Sequence, residues 1–372
     1  MLVEALKTEH FRNLADGSVS FSEQMNVIFG DNAQGKTNLI EAIWLFSGAK
    51  SFRGARDSEL IAFGQEVASL SLSFRDKQRS QTAELRFGGR EKKRVLLNRV
   101  PLEGVSKLAG SFYTVVFSPA HLSIVAEGPA NRRRFLDSAI SQINPRYRDY
   151  LDQYERVLAQ RSALLKDCWK FPSLRETIEL WDDQLARLGT ILTIYRGDYV
   201  AKLGRLAARI YAGLSRGKED FAISYRSTVF GPRHSVSVYD DEAIRAYGQA
   251  LSDSLAEDIR TGMTTVGLHR DDLEVEIDGK SARVYGSQGQ KRSSALALKL
   301  AEAELLAGIT GETPVILLDD VMSELDAHRQ DYILNHVKDN QVFLTCCDIS
   351  NTLRLREGSI FRVEGGRISR QD

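Results

Sequence analysis

Eight residues, Gly30-Asp31-Asn32-Ala33-Gln34-Gly35-Lys36-Thr37, have the GxxxxGK[ST] spacing of a phosphate-binding loop. Glycines let successive backbone N–H groups turn inward and wrap anionic oxygens, and a helix that follows points its positive end at the same place. Lys36 then supplies a point charge to terminal phosphates, and the Thr37 hydroxyl is a Mg²⁺ ligand. A second chemical feature is Val315-Ile316-Leu317-Leu318-Asp319-Asp320. Four apolar residues in a row suit a strand buried on both faces. Carboxylates at the end of such a strand sit where open α/β sheets bind their ligands. Asp319 is expected to hold Mg²⁺ through water, and Asp320 to polarise an attacking water. The pair of motifs predicts ATP with Mg²⁺.

The spacing narrows the class. Lys36 and Asp319 are separated by most of the chain, whereas compact P-loop enzymes place the two motifs much closer. ABC-type ATPases put a large block between them. They also carry a signature loop ahead of a later helix, and Ser287-Gln288-Gly289-Gln290 stands in that place, before the Ala- and Leu-rich stretch Lys291 to Ala307. Ser287 is a good N-cap, and a capped helix start is a second anion site. Two phosphate-binding helix starts far apart in one chain predict a nucleotide shared between two copies, the P-loop of one facing the Ser287 loop of the other. Ser323-Glu324-Leu325-Asp326 is placed like the loop that connects the two sites of such dimers. The region where ABC proteins carry a switch histidine reads Thr345-Cys346-Cys347-Asp348, and Asp320 stands where a Glu is usual. Both departures predict slow hydrolysis, suited to a switch rather than a motor.

Several elements must position these residues. Leu2 to Leu6 and Ser18 to Phe21 alternate as strands, Asn26 to Phe29 is a short apolar run entering the glycine loop, and Asn38 to Phe46 has helical spacing. Residues 67–74, 82–87 and 94–98 read as antiparallel strands with one wet face. The predicted organisation is an N-terminal part of an ATPase head over 1–129, a helical insertion over 130–261, and a C-terminal head part over 262–372. The insertion holds helices over 132–142, 146–166, 174–215 and 241–260, a break at Asn144-Pro145, a strand over 221–227 and a loop at Gly231-Pro232. Beyond it, 273–277 and 280–286 are predicted to form a hairpin around Asp278-Gly279. Strands over 314–320 and 341–347, a helix near 327–339 and a terminal strand pair complete the chain. The fold class is α/β: an ABC-type ATPase head with mixed sheets and a mainly helical inserted lobe, with no long coiled coil.

Composition limits the partners. Lys plus Arg and Asp plus Glu are both 50, so the net charge is zero, and a nucleic acid would be met by a local basic patch. The candidates are Arg90, Lys92, Lys93, Arg94 and Arg99, on and beside a predicted strand, and Arg132-Arg133-Arg134 at the opening of the insertion. Cys168, Cys346 and Cys347 have no CxxC spacing and no disulfide framework, which suits a reducing, cytoplasmic compartment. The opening MLVEALKTEHF carries acids and no long apolar run, so neither a secretory signal nor a membrane span is expected.

With these motifs in order, the chain resembles the RecF family of bacterial recombination mediators, in the ABC/SMC group. The resemblance covers most of the length. It rests on Phe11-Arg12-Asn13, GDNAQGKTNLIEAI at the P-loop, SFR at 51–53, Phe117-Ser118-Pro119, RRRFLD at 132–137, His269-Arg270-Asp271-Asp272, the Ser287 block and LLDDVMSELD at 317–326. Asp320 and the missing histidine are normal there. Leu268, where the family usually has proline, and the double cysteine are departures. The resemblance implies an ATP-dependent homodimer on single- and double-stranded DNA at gapped junctions and loading of recombinase with RecR and RecO. It also implies weak DNA-dependent ATP hydrolysis as a reset, and a role in replication and the SOS response. It also implies that Arg12 and Asn13 approach the nucleotide. An SMC- or Rad50-like tether would need a far longer insertion with unbroken heptads. A membrane transporter's nucleotide-binding subunit is disfavoured by the missing histidine and the atypical insertion.

Overall fold

The structure is a computed structural model and describes residues 1–88, 93–168, 170–231, 237–347 and 358–371. The chain divides into two compact units, Met1–Leu122 with Ala295–Asp372, and Ser123–Ser294. Among the described residues no helix is long and apolar enough to cross a membrane.

The first unit holds two six-stranded sheets. One has a parallel centre in the order Gly358–Glu364, Met25–Phe29, Val342–Cys346, Val315–Asp319, Thr114–Phe117, with Arg367–Gln371 antiparallel at one edge. All five residues of Val315–Asp319 are buried, as expected of a strand with neighbours on both sides and apolar layers on both faces. The other sheet is antiparallel, in the order Gly17–Ser20, Leu2–Glu9, Val67–Arg75, Ser80–Gly88, Arg94–Leu97, Val100–Leu102. Val67–Arg75 alternates strictly between buried and part-exposed residues, the signature of one wet face. The apolar faces of both sheets and the helix Lys36–Trp44 share one core, with Leu6, Leu70 and Leu72 joined to Leu39, Ile43, Leu317 and Phe343. Phe21 sets its ring edge-on to Phe343 and Phe361, with centroids 4.8 and 5.4 Å away.

In the second unit, the helices Pro129–Ile143, Pro145–Asp167, Arg175–Ser215 and Asp241–Thr261 surround a three-stranded sheet. The break at Asn144 has its physical cause in view: the Asn144 side chain accepts from the Arg146 N–H, and Pro145 occupies the first helical position, where a missing N–H costs nothing. The interior is unusually polar. Arg161 is fully buried between Asp182 at 2.5 Å, Asp258 at 2.7 Å and the Thr264 hydroxyl at 2.8 Å. Arg196, equally buried, donates to Asp137 at 2.7 Å, to the Tyr147 oxygen at 3.0 Å and to the Leu268 carbonyl at 2.8 Å. A buried guanidinium is tolerable only with its donors met in this way.

Two sequence expectations meet a different structure. The unit containing the inserted helices runs on to Ser294, past residue 261, because Asp272–Ile277 pairs with Phe221–Arg226 along its whole length. That pairing is non-local and leaves no local sequence signal. The predicted second hairpin strand over 280–286 ends after Ser281; Ala282–Tyr285 is a helical turn closed by the Gly286 N–H on the Ala282 carbonyl. The strand Asp272–Ile277 offers it only the pairs Glu276↔Ser281 and Ile277↔Lys280, so the β-propensity of Val284 and Tyr285 finds no ladder.

Candidate nucleotide-binding site

Strand register gathers the first unit's motif residues at one sheet edge. Cys346 pairs with Phe29 and Asp319 with Thr345, so the chain leaves the parallel strands at Gly30, Asp320 and Cys347 together, at their carboxyl ends. This is the crevice where open α/β sheets bind ligands.

The loop needs its glycines for stated reasons. Gly30 has φ 152° and a Cβ there would stand 2.3 Å from the Val363 carbonyl oxygen. Gly35 has φ 118°, and its Cβ would meet Leu14 Cδ2 at 2.9 Å and Asn13 Oδ1 at 3.0 Å. Ala33 also lies in the left-handed region, at φ 63°. The Gly366 N–H donates to the Gln34 carbonyl at 3.1 Å and the Gly365 N–H to Gln34 Oε1 at 2.6 Å, fixing the loop's crown. Gly35 is the N-cap of the helix Lys36–Trp44 and offers no side-chain cap.

Lys36 is buried and curls back, with Nζ donating to the carbonyls of Gly30 at 2.6 Å and Asp31 at 2.9 Å. Its third neighbour is Cys347 Sγ at 3.7 Å, and that thiol donates to Asn32 Oδ1 at 3.1 Å. The Thr37 hydroxyl donates to Asp319 Oδ1 at 2.9 Å, and the Thr345 hydroxyl donates to the same oxygen at 3.0 Å. Thr345 Oγ1 in turn accepts the Asp320 N–H at 2.9 Å. Burial pushes the Asp319 carboxyl above the usual carboxylate range; the Thr37 and Thr345 hydroxyls oppose this and the neighbouring Asp320 charge adds to it. A cation beside Asp319 would reverse that cost. The Asp319 carboxylate and Thr37 hydroxyl are hard oxygen donors, and among the described residues no cluster of three or more His, Cys, Asp or Glu forms a metal cage. One carboxylate plus a hydroxyl, completed by phosphates and water, is the donor set Mg²⁺ takes. The residues therefore fit a Mg²⁺–triphosphate.

A pocket of about 560 Å³ opens over this cradle, lined by Lys36, Thr37, Asp320 and Thr345 on one side and by Arg12, Asn13, Asn38, Arg53, Ile61 and Phe63 on another. Arg12 and Asn13, expected near the nucleotide, both line it. Arg12 is held there by a bidentate pair with Glu41, at 3.0 and 3.1 Å. Glu41 lies fully buried within the P-loop helix and also accepts from Ser51, with Arg53 3.8 Å away. Asn13 donates to the Ala33 carbonyl at 3.0 Å and accepts from Asn38, which accepts from Arg53 at 2.8 Å. Sequence reasoning missed Glu41, Arg53 and Phe63 as site residues. Glu41 had a legible signal, a carboxylate on an otherwise apolar helix face, which demands a cation. Phe63 had none: it is fully exposed, and nothing local separates it from a core residue.

The Ser287 loop belongs to the second unit. Ser287 Oγ accepts the Gln290 N–H at 3.2 Å while Gln290 Oε1 accepts the Ser287 N–H at 2.7 Å, a reciprocal capping box opening the helix Gln288–Thr310. Gln290 Nε2 reaches Glu219 at 2.8 Å, and Ser287 and Gly289 are exposed.

The basic clusters fare differently. Arg90 and Lys92 lie outside the described residues. Lys93 pairs with Asp57 at 3.0 Å and caps the Phe87 ring, and Arg94 and Arg99 are exposed, with Arg99 in the Asn98-Arg99 turn. Of Arg132-Arg133-Arg134, only Arg134 is exposed. Arg132 is buried in a bidentate pair with Asp272 at 2.6 and 2.9 Å, and Arg133 donates to the Asp271 carbonyl at 2.9 Å. The RRRFLD and His269–Asp272 blocks thus hold one another, and Arg132 and Arg133 serve the fold.

A P-loop, a buried strand-end Asp within hydrogen-bond reach of the P-loop Thr, and paired mixed and antiparallel sheets define an ATPase head of the ABC/SMC type. Residues 2–358 match the RecF/RecN/SMC N-terminal domain family. The chain belongs to the RecF family. It is 40% identical over its full length to all of the DNA replication and repair protein RecF of Heliobacterium modesticaldum, and 38% identical, over 99% of each chain, to that of Ruminiclostridium cellulolyticum. The solved structure of the recombination mediator protein RecF with ATP, in the RecFOR pathway, superposes with a TM-score of 0.92 at 36% identity, over 100% of this chain and 98% of that one. A Pyrococcus furiosus Smc head bound to the C-terminal domain of ScpA shares the fold alone, with a TM-score of 0.56 at 16% identity over 100% and 96%.

Proposed function

We propose that this chain is an ATP-dependent DNA-binding switch of recombinational repair and replication-fork maintenance. ATP binds with its phosphates in Gly30–Thr37, Lys36 on the terminal phosphates, and Mg²⁺ held by Thr37 and, through water, Asp319. Asp320, lining the same pocket, orients the water that attacks the terminal phosphate. Arg12 and Asn13 border the rest of the nucleotide. The observation that carries this reading is the 2.9 Å contact between the Thr37 hydroxyl and Asp319, which joins both motifs into one metal-ready pair.

ATP closes a homodimer. Ser287, Gly289 and Gln290 of one copy complete the site on the other, so the dimer clamps single- and double-stranded DNA at gapped junctions. RecR and RecO join it there and recombinase is loaded, with a part in the SOS response. Slow, DNA-stimulated hydrolysis opens the clamp. Support comes from full-length kinship with proteins named for replication and repair and from the exposed capping box at Ser287. The test is light scattering with ATP, ADP and no nucleotide, each with and without gapped DNA. Dimers with ATP alone are the expected result; a monomer under every condition would sink the shared-site mechanism.

A further inference from the structure

The double cysteine plays no part in the phosphate chemistry, yet the fold carries its second member to the P-loop. Cys347 follows directly on the strand Val342–Cys346 and is exposed. Its sulfur touches two residues that line the pocket, Lys36 at 3.7 Å and Asn32 at 3.1 Å. A thiol that is both open to solvent and in contact with the phosphate-binding lysine places sulfur chemistry and nucleotide binding on the same atoms. Cys168, by contrast, is buried among Leu165 and Ile178, where a reagent has no access.

We propose that Cys347 is a modification site at which a small anionic disulfide forms a mixed disulfide that blocks triphosphate binding, an inference that rests on the ATP reading above. Lys36 and the inward N–H groups of the loop, which suit a phosphate, also draw the carboxylates of such a reagent. In the exchange the Cys347 sulfur attacks one sulfur of the disulfide. A new S–S bond forms, the reagent's own S–S bond breaks, and the departing thiolate takes up the proton that Cys347 gives up, so no further oxidant is needed. The group left on Sγ cannot share the space of Lys36 Nζ and Asn32 Oδ1 and displaces them from the cradle. A reducing thiol reverses the step.

The test uses the full-length protein and glutathione disulfide as the probe. Intact mass and peptide mapping locate the adduct, and a fluorescent ATP analogue measures affinity in the reduced, treated and re-reduced protein. One glutathionyl group on Cys347, an affinity loss of about tenfold and recovery on reduction are expected. Saturating ATP with Mg²⁺ should slow the labelling. In Cys347→Ser, the ratio of affinities before and after treatment should be one, and Cys346→Ser should behave like the parent. An adduct on Cys347 with unchanged affinity overturns the inference alone, as does a protein that gains no glutathionyl group there or loses two mass units to a Cys346–Cys347 disulfide instead. Failure of the reduced protein to bind the analogue overturns both this inference and the ATP reading.

Discussion

The two helix starts credited with anion binding are built in opposite ways. The helix Lys36–Trp44 begins on a glycine with no side-chain cap, beneath an open pocket, and every nearby polar group faces that pocket or braces the loop. The helix Gln288–Thr310 begins on Ser287, whose hydroxyl and backbone are already matched by Gln290. The first is incomplete by construction, because orphan N–H groups at a helix start demand an acceptor. The second is self-sufficient, and an anion there adds to a satisfied structure. The same contrast extends to the two units. The first keeps Asp319 and Lys36 beside the pocket, whereas the second satisfies Arg161 and Arg196 internally. Affinity for nucleotide belongs to the first kind of site, and contact between copies suits the second.

The largest test of this contrast is Lys36→Ala, which should weaken ATP binding by at least about a hundredfold, roughly 3 kcal/mol, read by titration calorimetry. Ser287→Arg should leave one copy's ATP affinity within about twofold and abolish ATP-dependent dimers in light scattering. If both variants lost nucleotide equally, the division of roles would collapse. The self-satisfied interior of the second unit predicts a pH effect. Burial lowers His269 to about 4, helped by Arg270 and Arg133 and opposed by its hydrogen bond to the Thr264 carbonyl. The unfolded chain binds a proton there near pH 6.5 and the folded chain does not until about 4. His269 therefore contributes stability at neutral pH that is lost as pH falls from 6.5 towards 4, up to about 3 kcal/mol. Denaturant unfolding of the parent and His269→Asn across that window should diverge at neutral pH and converge at acid pH; parallel curves would remove His269 as the cause. The smallest effect is Gln290→Ala, which breaks the capping box and should cost about 1 kcal/mol in stability with ATP affinity unchanged.

The chemistry of the first unit was legible because it is local. A P-loop, a buried apolar strand and a strand-end carboxylate each announce themselves within a few residues, and the 2.9 Å contact of Thr37 with Asp319 follows from their standing on neighbouring parallel strands. Long helices and the Asn144-Pro145 break were legible for the same reason. What was hidden depends on distant partners. The strand Asp272–Ile277 draws residues beyond 261 into the second unit, and the short ladder it offers leaves 282–285 helical. The Arg132 and Arg133 side chains look solvent-bound in sequence, and only their placement beside Asp272 and the Asp271 carbonyl shows otherwise. Phe63 needed the pocket to be drawn before it could be noticed.

Glu41 has a mechanical consequence. One carboxylate inside the P-loop helix grips Arg12 and Ser51 and lies 3.8 Å from Arg53, side chains from two other stretches of chain. A shift of that helix when phosphate settles at its start cannot stay confined to the loop. It pulls on both stretches at once, and Arg12 and Arg53 both border the pocket. The helix thus behaves as a tie rod, turning the arrival of an anion at one end into tension on the far wall of the same chamber.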